Sequence, residues 1–169
     1  STCTFTFKDH RQPVWSIDVH RSGDYLASGS LDSSARLLDI NVGKCRNVFR
    51  GHVDSVTCVN FQPFSNLLAS ASADKTLSLW DSRAGLCVQT FYGHAGGLTG
   101  CKFSPKGDRI SSCDSTGSVR SWDLKAGREA NIFTTDKKAA NCISVDRSGN
   151  ILAVGTDDAL IFLFNDSTG

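Results

Sequence analysis

From Ser55 to Phe61 apolar and polar residues partly alternate, the period-two pattern of a strand with one buried face. Pro63-Phe64-Ser65-Asn66 breaks that run with turn-forming residues. Leu67 to Ser72 follows as small and aliphatic side chains, a strand short enough to lie deep in a packed stack. Asp74-Lys75-Thr76 makes a second turn, and Leu77 to Trp80 is a third strand ended by Asp81 and by Ala84-Gly85. Leu86 to Tyr92 completes the run as an outer strand that carries Phe91 into the space between neighbouring sheets. The stretch predicts one four-stranded antiparallel sheet.

That sheet is written four times. His10, His52 and His94 stand 42 residues apart, and the same step carries Phe7 to Phe49, Phe91 and Phe133. It carries Gly43 to Gly85, Gly127 and Gly169, Asp39 to Asp81 and Asp123, and Trp80 to Trp122. The periods run over residues 1–42, 43–84, 85–126 and 127–169. A repeat of roughly 40–45 residues with Gly-His early and Trp-Asp late is the signature of β-propeller blades. The predicted fold class is therefore all-β, a propeller of four blades with four antiparallel strands each. The phase is permuted: an outer strand over Thr2–Lys8 opens the chain, and the last period starts its inner strands near Ala140 and stops at Gly169. The expectation is a segment of a larger propeller; two chains closing an eight-bladed ring, or a small four-bladed ring, stand beside it. Position 1 is Ser, not Met, so the native start is expected to be missing or processed.

Charge changes the picture only by exclusion. The 18 basic and 17 acidic residues leave a net charge of +1, with no basic stripe for nucleic acid and no acidic tail. The apolar runs are too short to span a membrane, and no charged-then-apolar leader opens the chain. The seven cysteines form no Cys-x-x-Cys pair. Cys45 and Cys87, and Cys58 and Cys142, fall at equivalent repeat positions, as small strand residues of a reducing compartment would. No metal or cofactor site is expected.

In the second period His52, Ser70, Asp74 and Trp80 can form one buried hydrogen-bond relay, with Asp74 and Ser70 on the two ring nitrogens and the Trp80 indole donating to Ser70. At this point the chain resembles the WD-repeat proteins, through Gly51-His52, Gly93-His94, Trp80-Asp81 and Trp122-Asp123, over all 169 residues. The resemblance implies a WD-repeat propeller, most often seven-bladed, and a structural tetrad mapping fully only onto His52, Ser70, Asp74 and Trp80. The first period has Leu38 in place of Trp, the third has Thr116 where the acid belongs, and the fourth has Asp136, Val154, Asp158 and Phe164. The fourth blade is expected to be the weakest, and Trp80→Ala to destabilise more than Trp122→Ala.

The tetrad holds the ingredients of a hydrolase triad, but Ser70 would face a Trp, and no Gly-x-Ser-x-Gly elbow is present. The glycine-rich Gly93–Gly100 lacks the Gly-Lys-Ser/Thr ending of a phosphate loop. His20 is off the repeat pattern and is expected to be solvated beside the turn Arg21-Ser22-Gly23. The chain is thus read as a non-enzymatic binder of proteins, including another propeller segment or a second copy of itself. Its candidate partner-binding residues lie on the rim after each Gly-His pair and at the corners after the second strands: Arg11, Gln12, Leu31, Asp54, Ala73, Lys137 and Lys138.

Two finer resemblances follow. Arg50–Val56, Gln62–Asn66, Ala71–Thr76, Arg83–Cys87 and Tyr92-Gly93-His94 look like the WD-repeat protein of the ciliary central apparatus, the sperm-associated antigen 16 family, most specifically between residues 44 and 123. This implies a non-catalytic scaffold bridging central microtubules, partnered by central-pair or other axonemal proteins. It would be cytoplasmic, on the cytoskeleton of the cilium or flagellum. Trp80-Asp81-Ser82-Arg83 also resembles the Trp-Asp-x-Arg box of cullin–RING ubiquitin-ligase substrate adaptors, with Arg83 as the exposed contact.

Overall fold

The computed structural model describes residues 3–167; positions 1, 2, 168 and 169, with the Thr2 end of the expected outer strand and the repeat glycine Gly169, lie outside the described residues. The first sheet orders β1 (Val14–Val19), β2 (Tyr25–Ser30), β3 (Ser34–Asp39) and β4 (Lys44–Arg50), each antiparallel to the next. The second contains β5 (Val56–Phe61), β6 (Leu67–Ser72), β7 (Leu77–Asp81) and β8 (Leu86–Phe91), and the third β9 (Leu98–Phe103), β10 (Arg109–Asp114), β11 (Ser118–Asp123) and β12 (Arg128–Thr134). The fourth has three strands, β13 (Ala140–Val145), β14 (Ile151–Thr156) and β15 (Ile161–Asn165).

The inner strands β1, β5, β9 and β13 pack side by side in chain order, so the sheets stack as successive wedges of a propeller. Each wedge buries one face against the next. Ala35 and Leu37 of the first meet Val56, Val59 and Phe61 of the second; Leu77 and Leu79 of the second meet Leu98 and Cys101 of the third. At the third seam Val119 meets Ala140 and Val154. The register shifts between Leu79 and Trp80 in β7–β8 and between Ser121 and Trp122 in β11–β12, a local bulge at each indole.

Polar groups fasten the seams as well. The Phe61 N–H donates to Asp18 Oδ2 at 2.7 Å, and one repeat later the Phe103 N–H donates to Asn60 Oδ1 at 3.0 Å. The Thr57 hydroxyl donates to the Leu98 carbonyl, and Thr99 repeats the contact to Ala140. Asp166, buried beside the third wedge, accepts from Ser121, Asn131 and Arg109.

The outer strand expected over Thr2–Lys8 is not formed: residues 3–8 are irregular. A strand needs a neighbour to exchange backbone hydrogen bonds with. The three-stranded sheet that lacks a fourth strand, at β15, belongs to the last wedge, whereas residues 3–8 lie against the first. There the Phe5 ring covers Gly43, whose φ of 70° turns β3 into β4. His20 also differs from expectation. Its ring is half-buried and packs edge-on against Phe61 at 5.1 Å, across the first seam, because Phe61 offers more apolar contact than water does.

Candidate functional site

The relay of the second wedge links a loop to three strands. The Trp80 indole N–H donates to Ser70 Oγ at 2.7 Å, and Ser70 stands 2.7 Å from His52 Nε2. His52 Nδ1 stands 2.8 Å from Asp74 Oδ2. An indole can only donate and a carboxylate only accept, so the protons run one way, from Trp to Ser to His to Asp. Burial acts to raise the Asp74 carboxyl, but hydrogen bonds from Thr76, His52 and the Val53 N–H outweigh it and hold the group below its ordinary 3.8.

The third wedge departs from the sequence reading. Thr116 does not leave the relay without an acid, because Asp114 supplies one from the end of β10. His94 Nδ1 lies 2.7 Å from Asp114 Oδ2, His94 Nε2 lies 2.7 Å from Ser112 Oγ, and the Trp122 indole donates to Ser112 at 2.9 Å. Asp114 stands 20 residues after its histidine where Asp74 stands 22 after His52, so a positional match passes over it. The available signal was an acid within two residues of the empty position. Thr116 takes the role of Thr76, each hydroxyl donating to Oδ1 of the relay acid. Burial again opposes ionisation of Asp114, and Thr116, His94 and the Ser118 N–H hold its carboxyl below 3.8. Burial depresses the His94 imidazole below 6.5, against the opposing pull of Asp114.

In the first wedge His10 reaches Asp32 at 2.9 Å and Ser28 at 2.8 Å, with buried Leu38 where the indole stands elsewhere. In the fourth, Val154 is buried and Phe164 stacks on Phe133 at 5.1 Å, so aromatic packing occupies the place of a relay. Ser70 and Ser112 are fully buried, each with an indole bonded to its oxygen. These Ser-His-Asp groupings therefore meet no substrate and serve as fasteners.

The rim presents a different chemistry. Antiparallel order places the segment before each wedge's first strand and the turn after its second strand at one end of the sheets. Arg11, Gln12 and Leu31 are exposed there on the first wedge, Asp54 on the second, and Lys137 and Lys138 on the fourth. Lys138 pairs with Asp158 at 3.3 Å, and Asp54 Oδ1 accepts from the Ser55 N–H at 2.6 Å. Ala73 is only half-exposed, because Gly97 of the next loop passes so close that a Cβ there would lie 3.0 Å from the Ala73 backbone. It offers a partner little surface. Arg83 is exposed at the opposite end, where its N–H donates to Asp81 Oδ1 at 2.8 Å.

Residues 1–39, 43–81 and 85–123 match the family described as WD domain, G-beta repeat; residues 127–169 lie outside the matched ranges. Two curated relatives are similar over a short stretch. A "Ribosome biogenesis protein BOP1 homolog" of Oryza sativa subsp. japonica is 40% identical over 47 residues, 28% of this chain and 7% of that protein. The homologue of the same name from Arabidopsis thaliana is 38% identical over 48 residues, 28% of this chain and 6% of that protein.

Proposed function

As this chain belongs to the WD-repeat family, we propose that it is a non-catalytic protein-interaction scaffold that binds its partners through the exposed rim and serves in the axoneme of motile cilia or flagella. WD repeats in general mediate contacts between proteins. The observation that carries the non-catalytic reading is the closure of the relays: in the second and third wedges the serine is fully buried and spent on an indole, and in the first Ser28 is buried beside Leu38. The axonemal assignment is supported by the resemblance over residues 44–123 and implies a cytoplasmic, cytoskeletal location with central-pair proteins as partners.

The similarity to the BOP1 homologues favours a second reading, a scaffold in ribosome biogenesis. The exposed Arg83 keeps the third, a ligase adaptor, open to the same test. The tagged chain is incubated with axonemal extract, with pre-ribosomal particles and with a purified cullin–RING adaptor. Retention of central-pair proteins, lost on charge reversal at Lys137 and Lys138, is the expected outcome. Selective retention of pre-ribosomal proteins moves the assignment to ribosome assembly. Retention of the ligase adaptor, abolished by Arg83→Ala, moves it to ubiquitin transfer.

A further inference from the structure

One position of the repeat is an arginine in two wedges and a serine in the wedge between them. Arg36 of β3 and Arg120 of β11 stand 42 residues to either side of Ser78 in β7. In the first wedge the Arg36 Nη1 donates to Cys45 Sγ at 3.8 Å, and its Nε lies 3.3 Å from His10 Nδ1. In the third the Arg120 Nη1 donates to Glu129. The same nitrogen covers Gly93, where a Cβ would lie 2.8 Å from it and 3.7 Å from the Trp122 ring. Each guanidinium thus lies in a slot between the start of the outer strand, the Gly-His loop and the relay.

In the second wedge Ser78 is too short to fill that slot, and its hydroxyl meets Thr90 at 3.2 Å instead. A Cβ on Gly51, the equivalent of Gly93, would meet the Trp80 ring at 3.1 Å and no guanidinium. The result is a cavity of about 290 Å³. Its lining contains Gly51, Trp80 and Cys87, the equivalents of the Gly93, Trp122 and Glu129 that touch Arg120. The hydroxyls of Thr76, Ser78 and Thr90 line it with acceptors, the Asp74 carboxylate adds negative charge, and the Trp80 ring adds an aromatic surface that attracts cations. A guanidinium carries only donors, so it suits this wall, whereas an anion would be repelled by Asp74. Arg50 also lines the cavity from an exposed position. It is the equivalent of Lys8, and Lys8 shares the first wedge with Arg36, so the repeat already combines a cation there with a guanidinium in the slot.

We propose that the slot of the second wedge receives an arginine side chain from a protein partner, which makes between two molecules the contact that Arg36 and Arg120 make within this one. The chain itself identifies the occupant, because the wedges on both sides fill the same slot with a guanidinium. A flat head with five donors lies along an indole and reaches several hydroxyls at once, which the compact ammonium of lysine does not. Val53 and Tyr92, 87% and 73% exposed, flank the cavity and offer apolar surface to the residues on either side of the inserted arginine. The proposal rests on the reading of the chain as a protein-binding scaffold, and gives one contact, next to Asp54 of the rim, its chemistry.

Nuclear magnetic resonance of the isotope-labelled chain, titrated with N-acetylarginine amide to millimolar concentration, tests it. The expected result is a saturable shift of the Trp80 indole N–H and of the Cys87 and Thr90 amides. The uncharged citrulline analogue and the lysine analogue should give shifts several-fold smaller. Ser78→Arg supplies from within the side chain that Arg36 and Arg120 supply in the neighbouring wedges, so it should keep the circular dichroism of the parent and abolish the shifts. Cys87 is exposed, so its substitutions keep the fold. Cys87→Glu, which copies Glu129, should tighten binding several-fold, and Cys87→Lys should weaken it by as much. No saturable shift, an equal response to citrulline, or a response unchanged in both Ser78→Arg and Cys87→Lys overturns the proposal. Retention of partner proteins by a chain that does not respond to arginine overturns the slot and leaves the scaffold standing. An arginine response in a chain that retains no protein upholds the slot and overturns the scaffold.

Discussion

Trp80 and Trp122 each end a complete relay, and each buries its indole to the same 3%. The sequence reading favoured Trp80 only because it left the third relay without an acid. With Asp114 in that place, Trp80→Ala and Trp122→Ala are expected to lower stability by about 3–5 kcal/mol each. Urea denaturation should place the two within about 1 kcal/mol of each other; a Trp122→Ala loss under half that of Trp80→Ala would remove Asp114 from its assigned role. Asp114→Ala leaves the buried His94 without its acceptor and is expected to cost about 1–3 kcal/mol. The relays also set a pH dependence. His94 is depressed below 6.5 in the folded chain, so its contribution is present above that value and is lost as the pH falls through and below it. Asp74 and Asp114 are depressed below 3.8, so theirs is lost on further acidification below that value. Both act in one direction. The urea midpoint is expected to fall from pH 7 to pH 5 and again below pH 4, with the upper loss diminished in His94→Gln. A midpoint that rises between pH 7 and pH 5 contradicts the assignment.

Among the elements, the strands of the second wedge were legible almost residue by residue. Turn residues mark their ends, and the 42-residue step confirms each position against its copies. Three things were not legible. Asp114 escaped because a relay is satisfied by where an oxygen arrives, and the end of a strand can deliver one as well as the following turn. Asp166 escaped because its positions in the other periods are Ile40, Ser82 and Leu124, so no repeat points to it. The outer strand over residues 2–8 was read from Phe7 alone, and a side-chain pattern does not report whether a partner edge is within reach. At the β10–β11 turn Gly117 has a φ of 84°, and a Cβ there would fall 2.4 Å from Thr135 Oγ1 and 2.5 Å from the Lys138 carbonyl. Gly117→Ala is strained in both respects and is expected to destabilise by more than the ~1 kcal/mol of a simple glycine effect, read as a lowered thermal midpoint.

For the molecule as a whole, nearest-neighbour seams make stability local. Among the described residues the fourth wedge carries three strands and no relay, whereas the second carries four strands and a full relay. Hydrogen exchange is expected to be fastest in β13–β15 and slowest in β5–β7; uniform protection would mean that the wedges unfold as one unit instead. The equal spacing of the seam residues carries a further consequence, for what can be removed. Excise residues 43–84, one whole period, and Val42 is followed by Gly85 in place of Gly43. Ala35 and Leu37 then meet Leu98 and Cys101, and the Asp18 carboxylate faces the Phe103 amide that Asn60 had served. The polypeptide behaves as a string of interchangeable tiles, in which deleting one leaves the remaining edges still cut to fit.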